Sequence, residues 1–180
     1  SSNPDAVAGG QDFRELIYSW PFTLDACGLE AAAANGDVVD NTTAINLTGL
    51  GAIEYLLYTD AADPNCTDQP NAAARAAHIE KLADRVALLS STRRNRWEPT
   101  GDNFLEQWST AGLSTSAFYS TPQEALDAVS IALFYAEKIT KDRKVALPTG
   151  LPATGLDCSD PVACPEFLES SLSRHSGANL

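Results

Sequence analysis

The run Thr121-Pro122-Gln123-Glu124-Ala125-Leu126-Asp127-Ala128-Val129-Ser130-Ile131-Ala132-Leu133-Phe134-Tyr135-Ala136 decides the fold class. Thr121 suits a helix N-cap, Pro122 fits the first helical position, and Glu124 is placed to close a capping box. Leu126, Val129, Leu133 and Ala136 then recur at helical spacing. The spacing predicts a helix that runs to about Val145 and ends before Pro148.

The same period recurs on both sides of this run. A long helix is predicted from about Asn71 to Trp97, with the stripe Ile79, Leu82, Ala83, Val86, Leu89 and Trp97, and Pro99-Thr100-Gly101 stops it. Another covers about Asn46 to Thr59, with Leu47, Leu50, Ile53 and Leu57 on one face. A fourth runs from about Pro21 through the alanine tract to Asn35-Gly36, a C-terminal stop. A short one lies near 103–111. No period-two run is bounded by turn signals, so the chain reads as all-α, an antiparallel helical bundle over residues 1–146. Residues 147–165 hold four prolines and two glycines and read as a long loop. Residues 166–180 read as the start of a further helical segment.

The balance of 12 Lys+Arg against 24 Asp+Glu gives a net charge of −12 in 180 residues. Phosphate backbones need a surplus of cations, so nucleic acid is excluded as a partner, and an anionic membrane surface is disfavoured. No apolar run reaches the roughly 18–20 residues of a membrane span. The absence of Met and the Ser1 start read as a processed or truncated product, in keeping with a removed signal peptide. Cys27, Cys66, Cys158 and Cys164 form no C-x-x-C pair, and an even count favours disulfides in an oxidising compartment. Cys158 with Cys164 is favoured as a local bridge inside the loop, and Cys27 with Cys66 then staples two helical regions. Four buried free thiols are the alternative.

The chemistry is sparse. On a wheel of about 100° per residue, Glu54 falls inside the arc of Leu47, Leu50, Ile53 and Leu57. A core-facing carboxylate must be paired, hydrogen-bonded, protonated or metal-bound. Gly49 and Gly51 lie one turn before it and imply close backbone approach or room for a ligand. Arg75 and Arg93 fall on the Ile79–Val86 face with His78 at its edge, and Arg75 is the natural ion-pair partner for Glu54. Arg93, Arg94 and Arg96 also read as cations favoured at a helix C-terminus. With two histidines and paired cysteines, a zinc site is improbable, while an oxygen-rich iron or calcium site stays open. No G-x-S-x-G, H-E-x-x-H or phosphate-binding glycine loop is present. These residues name no catalytic group.

Tyr18-Ser19-Trp20-Pro21, Cys27, the run Gly49-Leu50-Gly51-Ala52-Ile53-Glu54-Tyr55-Leu56-Leu57-Tyr58, Cys66, Pro148-Thr149-Gly150 and Pro165-Glu166-Phe167-Leu168-Glu169-Ser170 with Ser173 and Asn179 occur in this order. Together they resemble the imelysin family, also called the insulin-cleaving membrane protease family. The resemblance implies a secreted or lipid-anchored bacterial protein of the periplasm or cell surface, linked to iron uptake or regulation. It implies a fold of two helical halves, of which this chain is the first. The C-terminal half, on the same or a separate chain, is then the partner that completes a ligand site. The family is classed as metallopeptidases and its motif is G-x-H-x-x-E. Carried over, Gly49 is the motif glycine, Glu54 the motif glutamate and metal ligand, and Gly51 stands where the histidine belongs. That departure puts peptidase activity in doubt. Gly49, Gly51, Glu54 and Arg75 remain as candidate ligand-binding residues, with iron or another divalent metal as the candidate ion. Three readings stay open: an iron-linked binding or regulatory protein, an imelysin-type metallopeptidase, and an envelope interaction module with Glu54 in a buried ion pair.

Overall fold

The computed structural model describes residues 12–19, 24–59, 63–149, 168, 170 and 172–174. They are all-α, with six α-helices and no strand among them. They form two compact units, residues 12–93 with 172–174, and residues 94–149 with 168 and 170.

In the first unit, α1 (Phe13–Tyr18) opens with a capping box that the periodicity reading passed over. The Glu15 N–H donates to Asp12 Oδ1 at 2.8 Å, and the Asp12 N–H donates to Glu15 Oε2 at 3.3 Å. The helix ends at Ser19, whose φ of 54° is left-handed. Helix α2 (Ala26–Asn35) is capped by Asp25, which accepts from the Gly28 N–H at 2.9 Å, so it starts later than Pro21. It ends at Gly36 with φ 71°, the stop expected there. A 3₁₀ turn, Ile45–Leu47, leads into α3 (Gly49–Tyr58), and α4 spans Ala72–Trp97. Asn71 caps α4 by accepting from the Ala74 N–H at 2.9 Å.

Two apolar clusters hold this unit. Phe13, Leu16 and Ile17 of α1 pack with Leu89 of α4. Leu29, Ala52, Leu56 and Leu82 join α2, α3 and α4. The inward arc of α3 is therefore Gly49, Ala52 and Leu56, and Leu50 and Leu57 of the expected stripe are exposed. On α4, Ala83 of the expected stripe is exposed and His78 and Arg85 are buried instead. The Cys27–Cys66 disulfide forms as expected, with a Cα–Cα distance of 5.0 Å, and ties the first turn of α2 to the segment before α4. Cys158 and Cys164 lie outside the described residues, as does most of the proline-rich segment.

In the second unit, α5 (Phe104–Ser109) and α6 (Pro122–Tyr135) enclose Phe104, Tyr119 and Ala125. Trp97 meets Phe104 edge-on at 4.9 Å. The start of α6 is as the sequence predicts: Thr121 Oγ1 accepts from the Glu124 N–H at 3.2 Å. Glu124 reaches back one residue further than the N-cap, accepting from the Ser120 N–H at 2.7 Å. The helix continues as a π-helix over Ala136–Ala146. Its inward face is the small pair Ala125 and Ala128, while Leu126, Val129 and Leu133 of the expected stripe are exposed. No helix among the described residues is long and apolar enough to cross a membrane.

Candidate functional site around Glu54

The N-terminal turn of α3 lies against the end of α1, and two glycines permit it. Gly49 has φ +79°, and a Cβ there would lie 2.8 Å from the Ile17 carbonyl oxygen and 3.0 Å from that of Leu16. A Cβ on Gly51 would lie 2.9 Å from Ser19 Oγ. The shortest distance at each position is below what real Cβ contacts show, so Gly49 serves close backbone approach and Gly51 makes room for the Ser19 side chain. Ser19, 5 % exposed, occupies the direction in which a side chain at position 51 would leave the helix.

Glu54 follows one turn later and is partly buried. Since the inward arc is Gly49, Ala52 and Leu56, Glu54 points away from it, beside its i−4, i+3 and i+4 neighbours Leu50, Leu57 and Tyr58. Those three are exposed by 41, 57 and 53 %. Glu54 Oε1 accepts a hydrogen bond from the Ser173 backbone N–H at 2.7 Å, across 119 residues of sequence. No ion pair to Glu54 occurs among the described residues.

Arg75 is engaged elsewhere. Its Nη2 donates to the carbonyl oxygens of Leu56 and Thr59 at 3.0 and 3.1 Å and to Thr59 Oγ1 at 2.6 Å, closing the C-terminal end of α3. Its Nη1 lies 3.6 Å from Glu30 Oε1. The expected Glu54–Arg75 pair is thus replaced by Glu30–Arg75, because the end of α3 that Arg75 caps is not the face that carries Glu54.

Glu30 is fully buried on α2. Its Oε1 also accepts from the Tyr55 hydroxyl at 2.7 Å and from the Asp63 N–H at 3.0 Å. Burial, and then the hydrogen bond to Glu30, push the Tyr55 hydroxyl up to about 12, so it stays a proton donor. Glu30 Oε2, Arg75 Nη1 and His78 Nδ1 are buried without a hydrogen-bond partner. His78 is 2 % exposed, and burial, with Lys81 nearby, lowers its pKa. Glu30 was not picked out from the sequence. The available signal is its place on the arc of Ala33 and Cys27, one buried and the other disulfide-linked.

Of the sequence candidates, Gly49 and Gly51 lie in the first turn of α3 against α1, Glu54 lies one turn later on the outward side, and Arg75 belongs to a buried structural cluster. No group of three or more His, Cys, Asp or Glu side chains is placed to hold a metal ion among the described residues. Among the described residues, Glu54 brings one carboxylate, which accepts from the Ser173 N–H beside an apolar rim.

Comparison with known proteins places the chain. The imelysin family model, a peptidase family by designation, matches residues 8–179. No curated protein and no solved structure matches it. The chain belongs to the imelysin family.

Proposed function

We propose that this imelysin-family chain is a non-hydrolytic binding or regulatory protein, linked to iron uptake or iron regulation, that takes its ligand on the Glu54 face of α3. The observation that carries the reading is the split within its motif. The glutamate is present and draws a backbone N–H at 2.7 Å, whereas the histidine position is Gly51, with Ser19 Oγ standing 2.9 Å from where a Cβ would be. Together with donors from the family's second half the Glu54 carboxylate binds a cargo, but helix α3 itself offers no second ligand with which to activate a water. The apolar rim of Leu50, Leu57 and Tyr58 supports a binding face, since exposed apolar side chains gathered round a polar group are a common setting for a ligand. The Cys27–Cys66 disulfide supports an oxidising compartment, the bacterial periplasm or cell surface. The family's second helical half is the expected partner across the site.

The test is the iron content of the full-length protein and of its Glu54→Ala variant after purification and iron loading. Loss of bound iron in the variant is expected. Equal content in both proteins would remove Glu54 from the site, and chelator-sensitive proteolysis by the wild type would overturn the non-hydrolytic reading.

A further inference from the structure

We propose that residues 172–174 are a strap over the Glu54 face: the Ser173 N–H occupies the carboxylate in the resting chain, and a ligand gains the site by displacing it. The proposal rests on the reading of Glu54 as a binding residue for its consequence, but the strap itself is tested without any ligand.

Three observations carry it. The first is the hydrogen bond from the Ser173 N–H to Glu54 Oε1 at 2.7 Å, between groups 119 residues apart in the chain. Here the Glu54 carboxylate accepts from a distant segment of the same polypeptide. The second is backbone conformation. Arg174, next to this bond on the strap, has φ of 61°, a left-handed region that costs arginine more than glycine. The segment is held against a local preference, so release relieves strain while loss of the Glu54 bond opposes it. The third is exposure. Leu172 on the strap is 46 % exposed, and Leu50, Leu57 and Tyr58 on the helix remain open. The strap thus takes up the polar centre of the face and leaves the apolar rim free.

The chemistry of a displacing ligand follows. It must offer the carboxylate a hydrogen-bond donor or a positive charge, and it gains further by laying apolar surface on Leu50, Leu57 and Tyr58. A strap that must leave first lowers the apparent affinity by the fraction of molecules in which it is already off, and the site is thereby tuned without any change in its own residues.

Trypsin reads strap release directly, because Arg174 is an exposed cleavage site on the strap. Lys81, in the middle of α4, serves as the internal clock for unfolding of the same unit. The full-length protein is compared with Ser173→Pro, which deletes the N–H and keeps the carboxylate, and with Glu54→Ala, which does the reverse. Cleavage at Arg174 is expected to rise at least about tenfold in both variants, the size of losing a hydrogen bond to a charged acceptor, with cleavage at Lys81 unchanged. Unchanged cleavage at Arg174 in either variant overturns the strap, and so does a parallel rise at Arg174 and Lys81 in both. The iron measurement separates this from the functional reading. Faster Arg174 cleavage with equal iron in wild type and Glu54→Ala keeps the strap and removes the iron site. Iron lost in Glu54→Ala with Arg174 cleavage unchanged keeps the site and removes the strap.

Discussion

Replacing Glu30 by leucine is expected to destabilise the chain by about 3–5 kcal/mol, the range for breaking one side of a buried ion pair. The carboxylate is fully buried and its Oε1 serves three groups: the Tyr55 hydroxyl, the Asp63 N–H and the Arg75 guanidinium. Leucine leaves the Tyr55 hydroxyl and the Asp63 N–H without their acceptor, at about 1–3 kcal/mol for each group that stays buried. It also leaves Arg75, whose side chain is 12 % exposed, without its counter-charge. Arg75 keeps its three bonds to the end of α3 through Nη2, so the loss stays below the sum of the parts. Glu30→Gln, which retains an acceptor oxygen, is expected to cost less than Glu30→Leu. The assay is equilibrium unfolding in urea, where the midpoint falls and the slope m is unchanged. A double-mutant cycle with Arg75→Met completes it. The second substitution removes a charge already deprived of its partner, so a coupling of at least about 1 kcal/mol is expected. A cost for Glu30→Leu below about 1 kcal/mol, or single costs that simply add, would refute the reasoning.

Three further outcomes are expected. Replacing Cys27 and Cys66 by alanine opens a link across 39 residues and should cost about 4 kcal/mol in chain entropy, read as a lower urea midpoint under non-reducing conditions. Gly51→His should cost about 1–3 kcal/mol of overpacking against Ser19, with part of it recovered in the Ser19→Gly, Gly51→His double variant; an uncoupled pair in unfolding experiments contradicts the packing. His78 carries a lowered pKa in the fold, so its contribution is complete above the unfolded value near 6.5 and is lost as pH falls below it. The slope of stability between about pH 7 and 5 should therefore flatten in His78→Phe, and an unaltered slope would show that the imidazole is not the group concerned.

The helices were legible where the sequence carried end signals. Thr121, Asn71 and Gly36 sit at helix ends as their chemistry requires. The D-x-x-E box at Asp12 and Glu15 was equally present, but α1 has six residues and too few turns to announce a period. The inward faces were harder. Size suggested Leu50 and Leu57 for α3, yet Gly49 sets how near α1 comes, and that contact turns Ala52 and Leu56 inward. The same inversion occurs in α6, where Ala125 and Ala128 meet the Phe104–Tyr119 cluster and the larger side chains face out. Periodicity identifies a helix, but close packing selects small residues for the contact. Glu30 escaped notice because the alanines around it give α2 almost no contrast between its faces.

The packing around Gly51 bears on the resemblance that puts a motif histidine at this position. A substitution that merely deleted a ligand would leave a gap at that position, and a gap could be refilled. Here Ser19, at the left-handed end of α1, stands where the side chain would emerge. The end of α1 is fixed in turn by its own N–H bond to the Glu15 carbonyl at 2.7 Å and by the burial of Leu16 and Ile17. Glycine at position 51 and the tight approach of α1 to α3 thus go together, since a Cβ there would lie 2.9 Å from Ser19 Oγ. Glu54 lies outside that constraint, one turn further on and on the open side of α3. Its carboxylate is set by a contact from far along the chain, the Ser173 N–H, and not by the packing of α1 on α3.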